Sequence, residues 1–245
     1  MSSEAAGCVL VTGGTGGIGR ATVERLLAEG RTVAFTYRSN ADGARELEIL
    51  GAGRARAFAF ELRDRARPRQ LEAEVEAALG SIEGLVNNAG IQHSRVVGLT
   101  SDDAWDEVLD VNLGGAFRVC RAVVPGMLRR RRGAIVNVAS LGALHGVAGQ
   151  GAYAASKAGL LALSRCLARE VGSRNVRVNA VVPGYVATEM TSGLSPAAVA
   201  ALREGEALPG GTSAEAVAAA IAFLLSPGAI AVTGQSLVVD AGAAC

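Results

Sequence analysis

Tyr153 and Lys157 stand four residues apart in AYAASKAG, and Ser140 closes the apolar run AIVNVAS thirteen residues before the tyrosine. In a helix, residues i and i+4 share a face. An ammonium held beside a phenol favours the phenolate, so Lys157 is expected to draw the Tyr153 pKa down from its ordinary value of about 10. A serine at a strand end can reach the same point across a short loop. The three side chains amount to a proton donor, its activator and a holder for an oxygen, a set suited to protonating an oxygen while a hydride moves elsewhere. A Tyr-x-x-x-Lys spacing alone marks more solvated helix pairs than catalytic ones, so the rest of the chain has to decide.

The N-terminal third supplies that context. VLVTGGTGGIGR sets Gly13, Gly17 and Gly19 between a first apolar run and a first helical pattern. Glycines there allow a tight turn and let backbone N–H groups approach a pyrophosphate at a helix N-terminus. Such turns also occur for packing, but one after the first strand of an alternating α/β chain points to a dinucleotide. The second strand ends Thr36-Tyr37-Arg38-Ser39-Asn40. An acid at that place would bind a ribose 2′-hydroxyl. Arg38 instead offers a forked donor to a 2′-phosphate, with Ser39 and Asn40 in support. NADP(H) is therefore expected in preference to NAD(H).

The elements that must position these groups follow from hydrophobic period. Short β-branched runs (CVLVT, TVAFTY, RAFAFEL, GLVNNAG, AIVNVAS, VRVNAVVPG and SLVVD) alternate with longer amphipathic segments. Near-continuous apolar strands separated by helices mean a parallel sheet covered on both faces. The expected fold is a single-domain, Rossmann-type three-layer α/β sandwich with seven parallel strands, spanning residues 1–245. Ser101 reads as the N-cap of one long helix running past Trp105 and Phe117 toward Arg129. GAYAASKAGLLALSRCLAREVG reads as a second long helix, closed by Gly172. Residues 184–214, rich in Gly, Pro and Ser, read as an irregular substrate lid beyond the sixth strand.

Composition removes several function classes. With 24 basic and 23 acidic residues, the chain lacks the charge imbalance of a nucleic-acid or membrane-surface binder. Cys8, Cys120, Cys166 and Cys245 have neither metal nor redox spacing and read as reduced thiols of a cytoplasmic protein. His93 and His145, the only histidines, offer no metal site. Residues 1–7, MSSEAAG, read as a flexible polar arm with no targeting pattern.

Taken together, Thr12-Gly13-x-x-x-Gly17-Ile18-Gly19, Asn87-Asn88-Ala89-Gly90, Asn112, Ser140, Tyr153-x-x-x-Lys157 and Pro183-Gly184 resemble the short-chain dehydrogenase/reductase family from Val9 onward. Within it, GQGAYAASKAGL and VTGQSLVVDAG look most like 3-oxoacyl-[acyl-carrier-protein] reductases and polyketide ketoreductases. The resemblance implies that Tyr153 protonates a carbonyl oxygen, Ser140 polarises it, and Lys157 binds the nicotinamide ribose and lowers the tyrosine pKa. Asn112 would hold a proton-relay water. The cofactor would touch Gly13, Thr15, Gly16, Gly17, Ile18 and Gly19, then Arg38 and Ser39, Glu61 and Leu62, and Asn88, Ala89 and Gly90. Pro183, Gly184, Val186 and Thr188 would meet its nicotinamide end. Three departures stand out. Gly16 replaces a basic residue frequent in NADPH-dependent relatives, Glu61 an aspartate, and Gly210 an arginine common in the carrier-protein reductases.

The resemblance also implies a homotetramer packed through the two long helices. It further implies docking of an acidic acyl carrier protein near Arg131 and Arg174. The run from Arg129 to Arg132 also fits a plain helix C-terminus, where basic side chains complement the dipole. Reduction of a β-ketoacyl thioester is thus the leading expectation. An NAD(P)-dependent enzyme of a small alcohol, sugar or other ketone is the second, and a non-catalytic NADP-binding sensor the third.

Overall fold

A computed structural model describes residues 7–244; residues 1–6 of the expected arm at 1–7, and Cys245, lie outside them. The strands are β1 (Cys8–Val11), β2 (Thr32–Tyr37), β3 (Ala55–Ala59), β4 (Ile82–Asn87), β5 (Gly133–Val138), β6 (Val176–Pro183) and β7 (Ser236–Val239). They form one parallel seven-stranded sheet in the order β3-β2-β1-β4-β5-β6-β7. The order reverses between β1 and β4, and in such sheets ligands bind beyond the strand ends at that reversal.

Alternation along each strand supplies two cores. Val9, Val11 and Phe35 face one side, where Val23 and Leu26 of α1 (Gly17–Ala28), Leu47 of α2 (Ala41–Gly51) and Ile221 of α8 (Ala214–Leu225) cover them. Cys8, Leu10 and Leu85 face the other. There Leu71 of α3 (Arg67–Leu79), Val123 and Met127 of α5 (Ala116–Arg130), and Leu167 of α6 (Gly151–Val171) pack. The expected three-layer sandwich is what forms. Strand β3 ends at Ala59, short of the Phe60-Glu61-Leu62 included in the expected run, and those residues turn into the cleft.

Four departures from the sequence reading have local causes. The helix beginning at Ser101, whose hydroxyl accepts the Ala104 N–H at 3.3 Å, is not uniform. It runs as α4 (Asp102–Leu109), widens into a π-helical segment at Asp110–Gly115 and continues as α5. The 184–214 stretch is less irregular than expected. It holds a 3-10 turn at Glu189–Thr191 and helix α7 (Pro196–Arg203), with Ser195 as N-cap and Pro196 in the first turn. Helix α8, started by Ser213, escaped the sequence reading because AEAVAAAIAFLL is apolar nearly all round and has weak period. Finally, Gly172 does not reverse the chain after α6. It stays right-handed in a 3-10 turn, and Asn175 takes the left-handed conformation at φ 56°.

Candidate active site

The strand ends nearest the reversal open into a cleft of about 710 Å³. Its nucleotide end is built by the turn between β1 and α1. Gly13 sits at φ 66° and Gly17 at φ 46°, a region costly for residues with a Cβ. The Gly13 N–H donates to the Thr36 hydroxyl at 3.0 Å, which fixes the turn against the end of β2. A Cβ on Gly19 would overlap the Gly13 carbonyl oxygen, so Gly19 is a packing glycine behind the turn rather than part of the lining. Gly16 caps α1 without a side-chain acceptor. The first-turn N–H groups of α1 are thus left for an anion, and the dipole favours one. This cradle fits the pyrophosphate of a dinucleotide.

Thr15, Gly16, Gly17 and Ile18 line the cleft, followed by Arg38 and Ser39. Arg38 is exposed and has no ion-pair partner among the described residues. Asn40 is partly engaged, since its Oδ1 caps α2 by accepting the Gly43 N–H at 2.9 Å. Glu61 and Leu62 form the next wall, then Asn88, Ala89 and Gly90. The Asn88 amide donates to the carbonyls of Thr12 at 3.1 Å and Gly13 at 3.0 Å, so it braces the glycine turn. Pro183, Gly184, Val186 and Thr188 close the far side.

Ser140, Tyr153 and Lys157 all reach this cleft. Ser140 follows β5, and its Oγ accepts the Gly142 N–H at 3.2 Å, which orients the hydroxyl. Lys157 is buried on α6, donates from Nζ to the Val138 carbonyl at 2.8 Å and lies 5.7 Å from the Tyr153 ring centroid. Burial without a carboxylate lowers its pKa to about 8. The expected depression of the Tyr153 pKa by Lys157 is not found. Burial raises the phenol above its ordinary value, and the neighbouring Ser140 hydroxyl is what draws it back. Lys157 is itself desolvated, and its Nζ is turned toward the Val138 carbonyl.

Asn112 lies behind the cleft, in the π segment, nearly fully buried. Its Oδ1 accepts the Ile91 N–H at 2.8 Å, and its Nδ2 donates to the Ile91 carbonyl at 2.9 Å and to Ser156 Oγ at 3.1 Å. Ser156 in turn donates to the Tyr153 carbonyl at 2.7 Å. The Asn112 side chain therefore ties the loop after β4 to the helix bearing Tyr153 and Lys157, with both amide N–H groups engaged. Ser156 went unnoticed in the sequence; its place between Tyr153 and Lys157 was the available signal.

Of the remaining candidates, His145 lines the cleft, whereas His93 is exposed and pairs with Glu107 at 3.0 Å. Among the described residues no group of three potential ligands could hold a metal. Trp105 and Phe117 are not core residues; both are about two-fifths exposed or more, at 39% and 45%. Leu160, Leu161 and Leu167 are buried in the chain's own core. In the basic run, Arg130 pairs with Glu76 at 3.1 Å and Arg132 with Glu83 at 3.0 Å, while Arg129 and Arg131 have no ion-pair partner among the described residues. Arg131 and Arg174 precede β5 and β6, at the sheet edge opposite Ser140. No helix among the described residues is long and apolar enough to cross a membrane.

Comparison with known proteins agrees with this architecture. A family model described as enoyl-(acyl carrier protein) reductase matches residues 13–244. The 3-oxoacyl-[acyl-carrier-protein] reductase FabG of Salmonella typhimurium is 39% identical over 236 residues, covering 95% of each chain. The proteins of that name from Vibrio harveyi and Escherichia coli are 38% and 37% identical over 235 residues, with the same coverage. With the parallel sheet, the glycine turn and the Ser140, Tyr153 and Lys157 cleft in place, the chain belongs to the short-chain dehydrogenase/reductase family of oxidoreductases.

Proposed function

We propose that this protein reduces a β-ketoacyl thioester, carried by an acyl carrier protein or coenzyme A, to the β-hydroxyacyl form with NADPH. The observation that supports it most is the meeting of two hydroxyls, Ser140 and Tyr153, with a buried lysine in the cleft that also holds an uncapped helix N-terminus. A reduced nicotinamide bound there supplies the hydride to the ketone carbon. Ser140 donates to the ketone oxygen and holds it. Tyr153 gives that oxygen its proton, and its raised pKa keeps it in the acid form that reduction needs. Lys157, when charged, stabilises the phenolate left behind and binds the nicotinamide ribose. Asn112 and Ser156 keep the loop at Gly90–Ile91 and helix α6 in register. Arg38 and Ser39 bind the 2′-phosphate. The 3-10 turn at Glu189–Thr191 and α7 act as the lid. Met190, Leu194 and Leu202 give it an apolar inner surface for an acyl chain.

The carrier-protein assignment draws on the names of the relatives; the docking surface we assign is Arg129, Arg131 and Arg174. The exposed Trp105 and Phe117 suit a homotetramer packed through α4, α5 and α6. The unpaired thiols of Cys8, Cys120 and Cys166 suit a reducing cytoplasm.

The description of the matching family favours a second reading, reduction of an enoyl double bond. Acetoacetyl-CoA and crotonyl-CoA separate the two, because only the first has a ketone. Oxidation of NADPH is expected with acetoacetyl-CoA, more slowly with NADH, and not with crotonyl-CoA. Turnover of crotonyl-CoA alone would overturn the ketone assignment. Full activity in Tyr153→Phe would remove the proposed acid.

A further inference from the structure

Arg118 is a buried arginine far from any reacting atom, at 7% exposure on the first turns of α5. Its guanidinium is held on one side by the π segment, donating to Asp110 Oδ1 at 2.8 Å and to the Asp110 carbonyl at 2.9 Å. On the other side it donates to the Leu62 carbonyl at 2.7 Å. Leu62 and its neighbour Glu61 belong to the loop after β3 that lines the nucleotide end of the cleft. The Leu62 side chain lies so close to the π segment that a Cβ on Gly115 would stand 2.9 Å from its Cδ2. The β2 ladder holds this loop only as far as the Phe60 N–H, which donates to the Tyr37 carbonyl at 2.9 Å. Beyond it an exposed Arg63–Glu107 pair at 3.0 Å, the buried Arg118 cation and the gap at Gly115 fix Glu61 and Leu62.

We propose that Arg118 is a positioning residue for the adenosine end of the cofactor site: it fixes the Glu61–Leu62 loop to the π segment. This rests on the reading that the cleft takes NADP(H). A charged group forking to two carbonyls and a carboxylate sets position more sharply than any apolar side chain could, because each donor has one direction. Arg118 does not line the cleft, so its loss should act through the Glu61–Leu62 loop, with Asn112 still tying the π segment to Ile91 and Ser156.

The test is calorimetric binding of 2′,5′-ADP and of 5′-ADP to the full chain, alongside kinetics with NADPH and with reduced nicotinamide mononucleotide, which lacks the adenosine half. Arg118→Met is expected to weaken both adenosine ligands about tenfold and to raise KM for NADPH. It should leave kcat at saturating NADPH, and kcat/KM with reduced nicotinamide mononucleotide, within about twofold. Arg118→Lys, which keeps one of the carbonyl bonds, should recover part of the affinity. Gly115→Ala, which presses on Leu62 without removing a buried charge and improves helix propensity, should weaken the same ligands and stands in if Arg118→Met does not fold. Unchanged ADP affinity in a folded Arg118→Met or Gly115→Ala, or equal losses with both reduced cofactors, overturns the inference. If the wild type gains nothing from the 2′-phosphate, the NADP reading fails instead, and the ADP series still decides the role of Arg118.

Discussion

Asn112 grips Ile91 from both sides: one amide oxygen takes the Ile91 N–H at 2.8 Å, and the amide nitrogen gives to the Ile91 carbonyl at 2.9 Å. A buried side chain paired this way cannot be shortened without orphaning two backbone groups, each of which costs about 1–3 kcal/mol when left unpaired in the interior. The same nitrogen reaches Ser156, whose hydroxyl holds the Tyr153 carbonyl. Asn112→Ala is therefore expected to lower both thermal stability and kcat, the latter by tenfold or more. Ser156→Ala, which removes one bond of the chain, should have a smaller effect on each. Melting curves and steady-state kinetics on the two variants check this; a kcat equal to wild type in Asn112→Ala would sink it.

The titration of the site yields a second expectation. Lys157 is brought to about 8 by burial, whereas Tyr153 is pushed above its ordinary value. kcat/KM reports the free enzyme, so for ketone reduction it should be level through neutral pH and fall above about 8 as Lys157 loses its charge. The reverse reaction needs the phenolate and should rise with pH instead. The stability sign is also fixed. The folded pKa lies below the unfolded value of about 10.4, so the unfolded chain holds more protons between the two. Stability attributable to Lys157 must then rise with pH across that window. Melting temperatures of wild type and Lys157→Met at pH 7.5 and 9.5, values chosen to bracket about 8, should show the wild type gaining relative to the variant. An alkaline limb unchanged in Lys157→Arg would remove the lysine from the profile.

The proposed preference for NADPH would rest chiefly on Arg38. Gly16 offers no basic group, and Asn40 is partly engaged in capping α2. Arg38 is exposed at the lip of the cleft, without an ion-pair partner among the described residues. Arg38→Asp should raise KM for NADPH at least tenfold while NADH is retained or improved, since a carboxylate there accepts a ribose hydroxyl and repels a phosphate. Equal preference before and after the substitution would place the 2′-phosphate elsewhere.

Much of this was legible in residue order, and the failures share a physical theme. The sheet could be read because buried parallel strands leave continuous β-branched runs such as AIVNV, and the glycine turn because its spacing serves the backbone. The π segment could not, since DVNLGG has nothing that separates it from ordinary helix, and its contact with Leu62, like the Arg118 bond to the Leu62 carbonyl, reaches to a distant part of the chain. The Tyr153 pKa was misjudged because i, i+4 spacing gives proximity but neither burial nor the direction of Nζ, which points to Val138. Helix α8 was lost because an all-apolar helix lacks the period by which helices are found.

The basic surface supplies the last expectation. Arg131 and Arg174 lie where β5 and β6 begin, and Ser140 lies past the end of β5. Six residues of strand at about 3.3 Å each separate the two by about 20 Å. A carrier protein seated on that edge must therefore deliver its acyl group along an extended arm or into the cleft of a neighbouring subunit. It would make no contact with the chemistry of the subunit it docks on. Charge reversal at Arg131 and Arg174 together should thus raise KM for a carrier-protein-bound β-ketoacyl substrate about tenfold, more steeply at low salt, and leave kcat nearly unchanged. The same variant should reduce acetoacetyl-CoA as the wild type does. A loss shared by both substrates would mean damage to the fold at the Arg131–Ser173 contact, and no loss with either would move the docking surface off this edge.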